Sequence, residues 1–330
     1  MTEKNMETVP VPGTDLEPSR LVLGTMTFGD TVGRDTAARM LDVAADAGVT
    51  MLDTANGYAG GACEEILGEL LATRRDRFLL AGKVGIPHAD AGDAAPLSAE
   101  AIRRCLEGSL RRLRTDRLDV YYLHQPDRRT PIEETLDALA EHVAAGRIRY
   151  VGVSNFAAWQ IAELRAAAAG RGAPVPVLSQ PLYNLVSRRI EEEYTEFAER
   201  AGLVNIVYNP LGGGLLTGRH RFDESPAAGR FGDSGLAAMY RRRYWDRRLF
   251  EAVEALAGGA AEAGLTLPEL AFRWLLSRPA VGAVLVGSSR VEHLEANIAA
   301  AQGPPPGADL AELCDAVWER LRGPAPAYNR

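Results

Sequence analysis

Leu118-Asp119-Val120-Tyr121-Tyr122-Leu123, with His124 directly after it, is a largely apolar run closed by an imidazole. A run of that length, rich in branched and aromatic residues and bounded by breakers, predicts a strand buried on both faces. Two upstream runs share the pattern: Val49-Thr50-Met51-Leu52 leads into Asp53 and then Tyr58, and Phe78-Leu79-Leu80-Ala81 leads into Lys83. Three successive strands therefore deliver a carboxylate with a phenol, an ammonium and an imidazole to one rim. In a parallel barrel that rim carries the chemistry, whereas polar groups at the opposite end serve stability.

Five further runs read as strands: Leu21-Val22-Leu23-Gly24, Arg149-Tyr150-Val151-Gly152-Val153, Val175-Pro176-Val177-Leu178, Val204-Asn205-Ile206-Val207-Tyr208 and Gly282-Ala283-Val284-Leu285-Val286. Between the eight lie amphipathic segments at 35–47, 62–73, 98–113, 132–145, 157–169, 188–201 and 267–278. Such alternation points to parallel sheet with crossover helices, and eight units favour an α/β fold of the closed (β/α)8 TIM-barrel type, one domain over residues 1–330. Ser98 with Glu100 forms an expected helix N-cap, Pro131 is expected at the first helical position, and Gly146 ends that helix. Thr8 to Glu17, around Pro12-Gly13, is expected as a hairpin plugging the other barrel end. The connection after the seventh strand, about 212–248, is Gly-rich and then basic and aromatic, and reads as a lid loop. Beyond Gly303-Pro304-Pro305-Pro306-Gly307 a final helix is expected near 308–322, with a tail ending at Arg330. The rival architecture, a doubly wound dinucleotide fold, needs a Gly-x-Gly-x-x-Gly turn after an early strand, and the chain has none.

Composition narrows the function. The chain has 330 residues, 46% hydrophobic and 25% charged, with net charge −7. It offers no basic field for nucleic acid. No stretch approaches the eighteen apolar residues of a membrane span, and Met1 to Glu17 lacks a secretory core, so a cytoplasmic location is expected. Three unpaired-looking cysteines and five scattered histidines suggest neither a disulfide framework nor a metal site.

The four rim residues make coherent chemistry. Hydride delivery to a carbonyl creates an alkoxide, which requires a proton donor at the oxygen. Tyr58 can be that donor, with Lys83 as a cation that lowers the phenol pKa, Asp53 holding the ammonium charged, and His124 orienting the carbonyl. Any one alone has a structural reading as cap, surface charge or rim cover. Four compatible groups on three consecutive strand ends are harder to explain that way.

At these residues the chain resembles the aldo-keto reductases. The shared motifs run in order: Leu23-Gly24-Thr25-Met26-Thr27-Phe28-Gly29, Asp53-Thr54-Ala55-Asn56-Gly57-Tyr58, Glu64-Glu65-Ile66-Leu67-Gly68, Leu123-His124-Gln125-Pro126-Asp127, Gly152-Val153-Ser154-Asn155-Phe156 and Asn209-Pro210-Leu211. The resemblance implies a barrel that binds NADPH at its C-terminal rim and reduces a small carbonyl substrate, with Asp53, Tyr58, Lys83 and His124 as the catalytic tetrad. It also implies that Ser154, Asn155 and Gln180 hold the nicotinamide carboxamide and that Tyr208 stacks on its ring. Asn209, Leu211 and Gly213 would follow the pyrophosphate; Gly287, Ser288, Ser289 and Arg290 would meet the 2′-phosphate, with Asn297 near adenine. The motifs around Ser154–Trp159, Tyr208–Gly218, Gly229–Phe231 and Arg243–Trp245 are most similar to the aflatoxin-aldehyde and succinic-semialdehyde reductase branch. There Arg243 and the C-terminal Arg330 match positions that engage a substrate carboxylate, and a homodimer is implied. Ser289 departs from the arginine common over the 2′-phosphate, and His293 from a frequent glutamine.

Two other readings stay open on the residues. A nucleotide-binding, redox-sensing subunit like the potassium-channel β-subunits shares the resemblance, but those subunits carry asparagine at the position of His124. A Schiff-base aldolase using Lys83 is opposed by Asp53, which keeps the amine protonated.

Overall fold

The computed structural model describes residues 6–325. The strands are β1 (Leu21–Gly24), β2 (Met51–Asp53), β3 (Leu79–Val84), β4 (Leu118–Leu123), β5 (Ile148–Ser154), β6 (Leu178–Gln180), β7 (Val204–Val207) and β8 (Ala283–Val286). All pair in parallel, in order, and β8 closes on β1 through Leu21–Val284 and Leu23–Val286. This is the closed (β/α)8 barrel expected from the alternation. The helices that cross back outside it are α1 (Arg34–Asp46), α2 (Ala62–Leu70), α3 (Ala99–Leu113), α4 (Ile132–Ala144), α5 (Ala158–Ala168), α6 (Tyr194–Arg200), α7 (Ala237–Tyr244), α8 (Arg247–Glu262), α9 (Leu267–Ser277), α10 (Val291–Ala301) and α11 (Ala308–Arg322).

Strands buried on both faces explain why the runs are apolar throughout rather than alternating. Val22, Met51, Ala81, Val120, Tyr122, Leu178, Ile206 and Ala283 fill the lumen, while their neighbours such as Leu23, Leu52, Leu80 and Tyr121 pack outward under the helices. Each such aliphatic side chain, fully buried, contributes about 1.5–3 kcal/mol. Size matters in the lumen: a Cβ on Gly152 would lie 2.4 Å from the Tyr122 ring. The glycine is what lets that ring cross the barrel.

The hairpin plug forms as expected. Val9 N–H donates to Pro18 O at 2.8 Å and Val11 N–H to Leu16 O at 3.0 Å, and Val11 and Leu16 seal the lumen floor. Asp15 clasps it to β5 through Arg149 at 2.7 Å and the Tyr150 hydroxyl at 2.9 Å. Ser98 caps α3 on Ala101 N–H, and Gly146, at φ +71°, follows the end of α4. Pro131 stands one residue before the helix rather than inside it.

Four further local expectations need correction. Strand six starts three residues late, because Pro176 has no N–H to give a ladder. The helix expected over 188–201 is interrupted at Glu193, with a 3-10 turn at Arg189–Glu192 before α6. The segment after β7 is not all loop: it opens with a 3-10 turn, Gly212–Thr217, and its basic aromatic stretch is α7. Two further helices lie outside the expected segments: α8, which precedes α9, and α10, which follows β8.

Candidate active site

Asp53 is the last residue of β2, and Lys83 the penultimate residue of β3; both are fully buried. Tyr58 follows in a turn whose next residues, Ala59, Gly60 and Gly61, have φ of +48°, +62° and +100°. Two glycines make that reversal cheap, and it swings the phenol back over the barrel mouth before α2 begins. His124 stands just past β4, where its N–H bonds Val84 O at 2.7 Å.

These elements bring the tetrad together. Lys83 Nζ donates to Asp53 Oδ1, to Thr54 O at 3.0 Å and to the Tyr58 hydroxyl at 3.1 Å. An ammonium has three hydrogens and no lone pair, so all its donors are spent and its orientation is set. The same logic makes the Tyr58 oxygen an acceptor from Lys83, which leaves the phenolic hydrogen for another partner. The Tyr58 and His124 rings meet edge to face with centroids 6.1 Å apart.

The electrostatics differ in one respect from the sequence expectation. Burial pushes the Tyr58 phenol up to about 12; Lys83 pulls it down and Asp53 pushes it up by less. Lys83 moderates the acid, but desolvation of the phenolate outweighs it. Burial also works against the Lys83 ammonium, yet Asp53 and Tyr58 overcome it and its pKa is raised. His124 falls to about 3, through burial and then repulsion by Lys83, so its ring is neutral at ordinary pH. Its Nδ1 is buried with no partner among the described residues.

The residues expected along a coenzyme lie on the same rim, at the ends of β5 to β8. Ser154 Oγ donates to Gln180 O at 2.9 Å, and Asn155, at φ +60°, donates to His124 O at 2.9 Å. The Tyr208 hydroxyl donates to Asn155 Oδ1 at 2.7 Å. Gln180 reaches elsewhere: its Nε2 donates to Asp53 Oδ2 at 2.8 Å, leaving Oε1 without a partner among the described residues. Asn209, also left-handed, accepts from Gly213 N–H at 2.7 Å, and Leu211 O accepts from Gly214 and Leu216, so the two build the Gly212–Gly214 turn. A Cβ on Gly213 would sit 2.5 Å from Tyr240. Gly287, Ser288, Ser289 and Arg290 lead into the N-terminus of α10, and Asn297 touches Ser288 Oγ at 3.3 Å. Burial pushes the Tyr208 phenol up, and Arg243, exposed on α7, pulls it back down. Arg330 lies outside the described residues.

Sequence reasoning passed over several supporting groups. Thr25 holds Asp53 O through Oγ1 at 2.8 Å, and Asn184 and Tyr244 brace Asn209. Thr25 and Tyr244 sit inside quoted motifs; Asn184 carries no comparable signal.

The rim suits an elongated phosphate-bearing coenzyme. Arg219 beside Gly214, Arg230 over the Tyr240 ring, Arg243 and Arg290 form no ion pair among the described residues, although the chain as a whole is acidic. Four guanidiniums without a carboxylate partner among the described residues, and a helix N-terminus along one rim, favour anions.

The sequence model of the Aldo/keto reductase family matches residues 20–318. The chain is an aldo/keto reductase. It is 34% identical to Aflatoxin B1 aldehyde reductase member 2 of Mus musculus, over 96% of this chain and 89% of that one. It is 35% identical to the Uncharacterized oxidoreductase YrpG of Bacillus subtilis, over 90% and 91% of the two chains. Its identity to a Probable voltage-gated potassium channel subunit beta of Oryza sativa is 34%, over 86% and 88%. Membership and the reductase relatives make this reductase an oxidoreductase acting on carbonyl groups of small molecules, in a family whose coenzyme is NAD(P)H. Among the described residues no helix is long and apolar enough to cross a membrane.

Proposed function

We propose that this reductase uses NADPH to reduce an aldehyde or ketone to an alcohol, with Tyr58 as the proton donor. The observation that carries the reading is the direction of the Lys83–Tyr58 hydrogen bond, which leaves the phenolic hydrogen free at the mouth. Bound coenzyme supplies the hydride. Tyr58 stays protonated at neutral pH and meets the developing alkoxide as an acid, and Lys83 stabilises the phenolate left behind. Neutral His124 offers a ring N–H to the carbonyl oxygen without carrying a competing charge. Asp53 keeps Lys83 ionised and aimed.

Ser154, Asn155 and Gln180 would hold the carboxamide, Tyr208 the ring, Asn209, Leu211 and Gly213 the pyrophosphate strap, and Gly287 to Arg290 with Asn297 the adenosine end. Arg290 supports NADPH over NADH; Ser289 adds no charge to that choice. The substrate class we favour is an aldehyde bearing a carboxylate or second carbonyl, met by Arg243 and Arg330. The aldehyde reductase name of the mouse relative agrees with an aldehyde as substrate.

The test follows coenzyme oxidation with a carbonyl panel, using NADPH, NADH and the Tyr58→Phe variant. Tyr58→Phe is expected to lose about 10²–10⁴-fold in kcat with NADPH affinity nearly unchanged. Equal loss of binding and turnover refutes the assignment. Tight NADPH binding by the wild type without turnover favours a nucleotide-sensing subunit of a larger assembly; the rice relative's name is that of a channel subunit.

A further inference from the structure

We infer that Gln180 is a positioning residue of the acid relay, holding Asp53 from across the barrel; this rests on the reductase reading of the site. β6 stands four places from β2 in a ring of eight, so the two face each other through the lumen. The Gln180 side chain spans that gap to place Nε2 2.8 Å from Asp53 Oδ2. Lys83 occupies Oδ1, and Gln180 is the partner of Oδ2. The glutamine is itself anchored at its main chain, whose carbonyl accepts from Ser154 Oγ at 2.9 Å.

A fully buried carboxylate depends on donors at both oxygens, and an amide is a donor that cannot lose its proton near neutral pH. The hydrogen bonds run Gln180 to Asp53, Lys83 to Asp53, and Lys83 to Tyr58. Gln180 therefore acts on the general acid through two intermediaries. Its free Oε1 leaves an acceptor for the carboxamide contact proposed above, so one side chain serves both coenzyme and acid. The groups facing Asp53 are Lys83 from β3, Tyr58 from the turn after β2 and Tyr122 from β4; Cys63 of α2 and His124 lie within electrostatic range of Lys83.

Gln180→Glu and Gln180→Met test this. In Gln180→Glu the introduced carboxyl faces Asp53, and such a pair keeps one proton to higher pH than a free glutamate does. At pH 5.5 the neutral carboxyl still donates to Oδ2, and kcat is expected within about threefold of wild type. By pH 8.5 the proton is gone and kcat falls on the order of tenfold or more, a limb the wild type lacks. The coenzyme-free protein gives an independent readout. A folded-state group that holds its proton above the unfolded value of about 4.3 loses stability as pH rises, so the melting temperature of Gln180→Glu should drop further below wild type from pH 5 to pH 8. Gln180→Met cannot titrate and should lose about tenfold in kcat at saturating NADPH at every pH, over and above the weaker NADPH binding expected from losing the carboxamide contact.

A melting difference independent of pH, or Gln180→Met with intact kcat and only weaker NADPH binding, overturns the inference. If Gln180→Glu fails to fold at any pH, the kcat and Kd of Gln180→Met decide. If the wild type reduces no carbonyl, the reductase reading fails, while the melting series still decides the Gln180–Asp53 bond.

Discussion

Replacing Lys83 with methionine keeps the stem of the side chain and removes the ammonium that Asp53, Thr54 O and Tyr58 share. Asp53, fully buried, is then left with Gln180 as a neutral partner. Breaking a buried ion pair by deleting one member costs about 3–5 kcal/mol, chiefly because the remaining charge is uncompensated. The carboxyl escapes part of that cost by keeping a proton, so the penalty depends on pH. At about 1.36 kcal/mol per pH unit, it builds over roughly 2–4 units above pH 3.9, where an unfolded aspartate ionises. Lys83→Met should therefore match the wild type most closely near pH 4.5 and fall furthest behind at pH 8 in denaturant unfolding of the coenzyme-free protein. Adding Asp53→Asn should restore most of the stability at pH 8, because the stranded charge is gone, while kcat stays low for want of the cation beside Tyr58. Destabilisation of equal size at pH 4.5 and pH 8, or no rescue by the second change, refutes the reasoning.

His124, depressed to about 3, should contribute no limb to the kcat profile between pH 5 and 8; a limb near pH 6.5 that His124→Asn removes would contradict this. Because that histidine is neutral in the fold and charged in the unfolded chain, its share of stability is present above about pH 6.5 and is lost as pH falls, which melting of the wild type against His124→Asn would show. Gly152→Val places side-chain carbon where the Tyr122 ring lies 2.4 Å away; a loss of about 1–3 kcal/mol or more is expected in urea unfolding. Arg243→Met should raise KM about tenfold for an aldehyde bearing a carboxylate and leave an uncharged aldehyde within about twofold.

The strand order, the helices flanking the first five strands and the four rim residues were legible because each is a local pattern: an apolar run, a breaker, then a polar group. Strand six was misplaced because Val175 and Val177 look like strand while Pro176 cannot join a ladder. α7 was hidden by its arginines, whose helical arrangement needs the packing of Tyr240 and Tyr244 beneath the lid to show itself. The direction of the Tyr58 shift was missed because the sequence displays the cation beside the phenol but not the depth at which both lie. The Gln180–Asp53 bond joins residues 127 positions apart and exists only when the ring of strands has closed.

Closure of that ring also sets a timetable. Arg20, at the edge of β1, bonds Val281 O, 261 residues downstream, and β1 pairs with β8 along its length. During synthesis at about 5–20 residues per second, the first strand is exposed for roughly 15–50 s before its outer neighbour exists. The hairpin that floors the lumen docks against a wall that is still open for that interval. Changes in Val11, Leu16 or Asp15 should thus be felt in how much protein survives its own making, more than in how fast the finished molecule turns over.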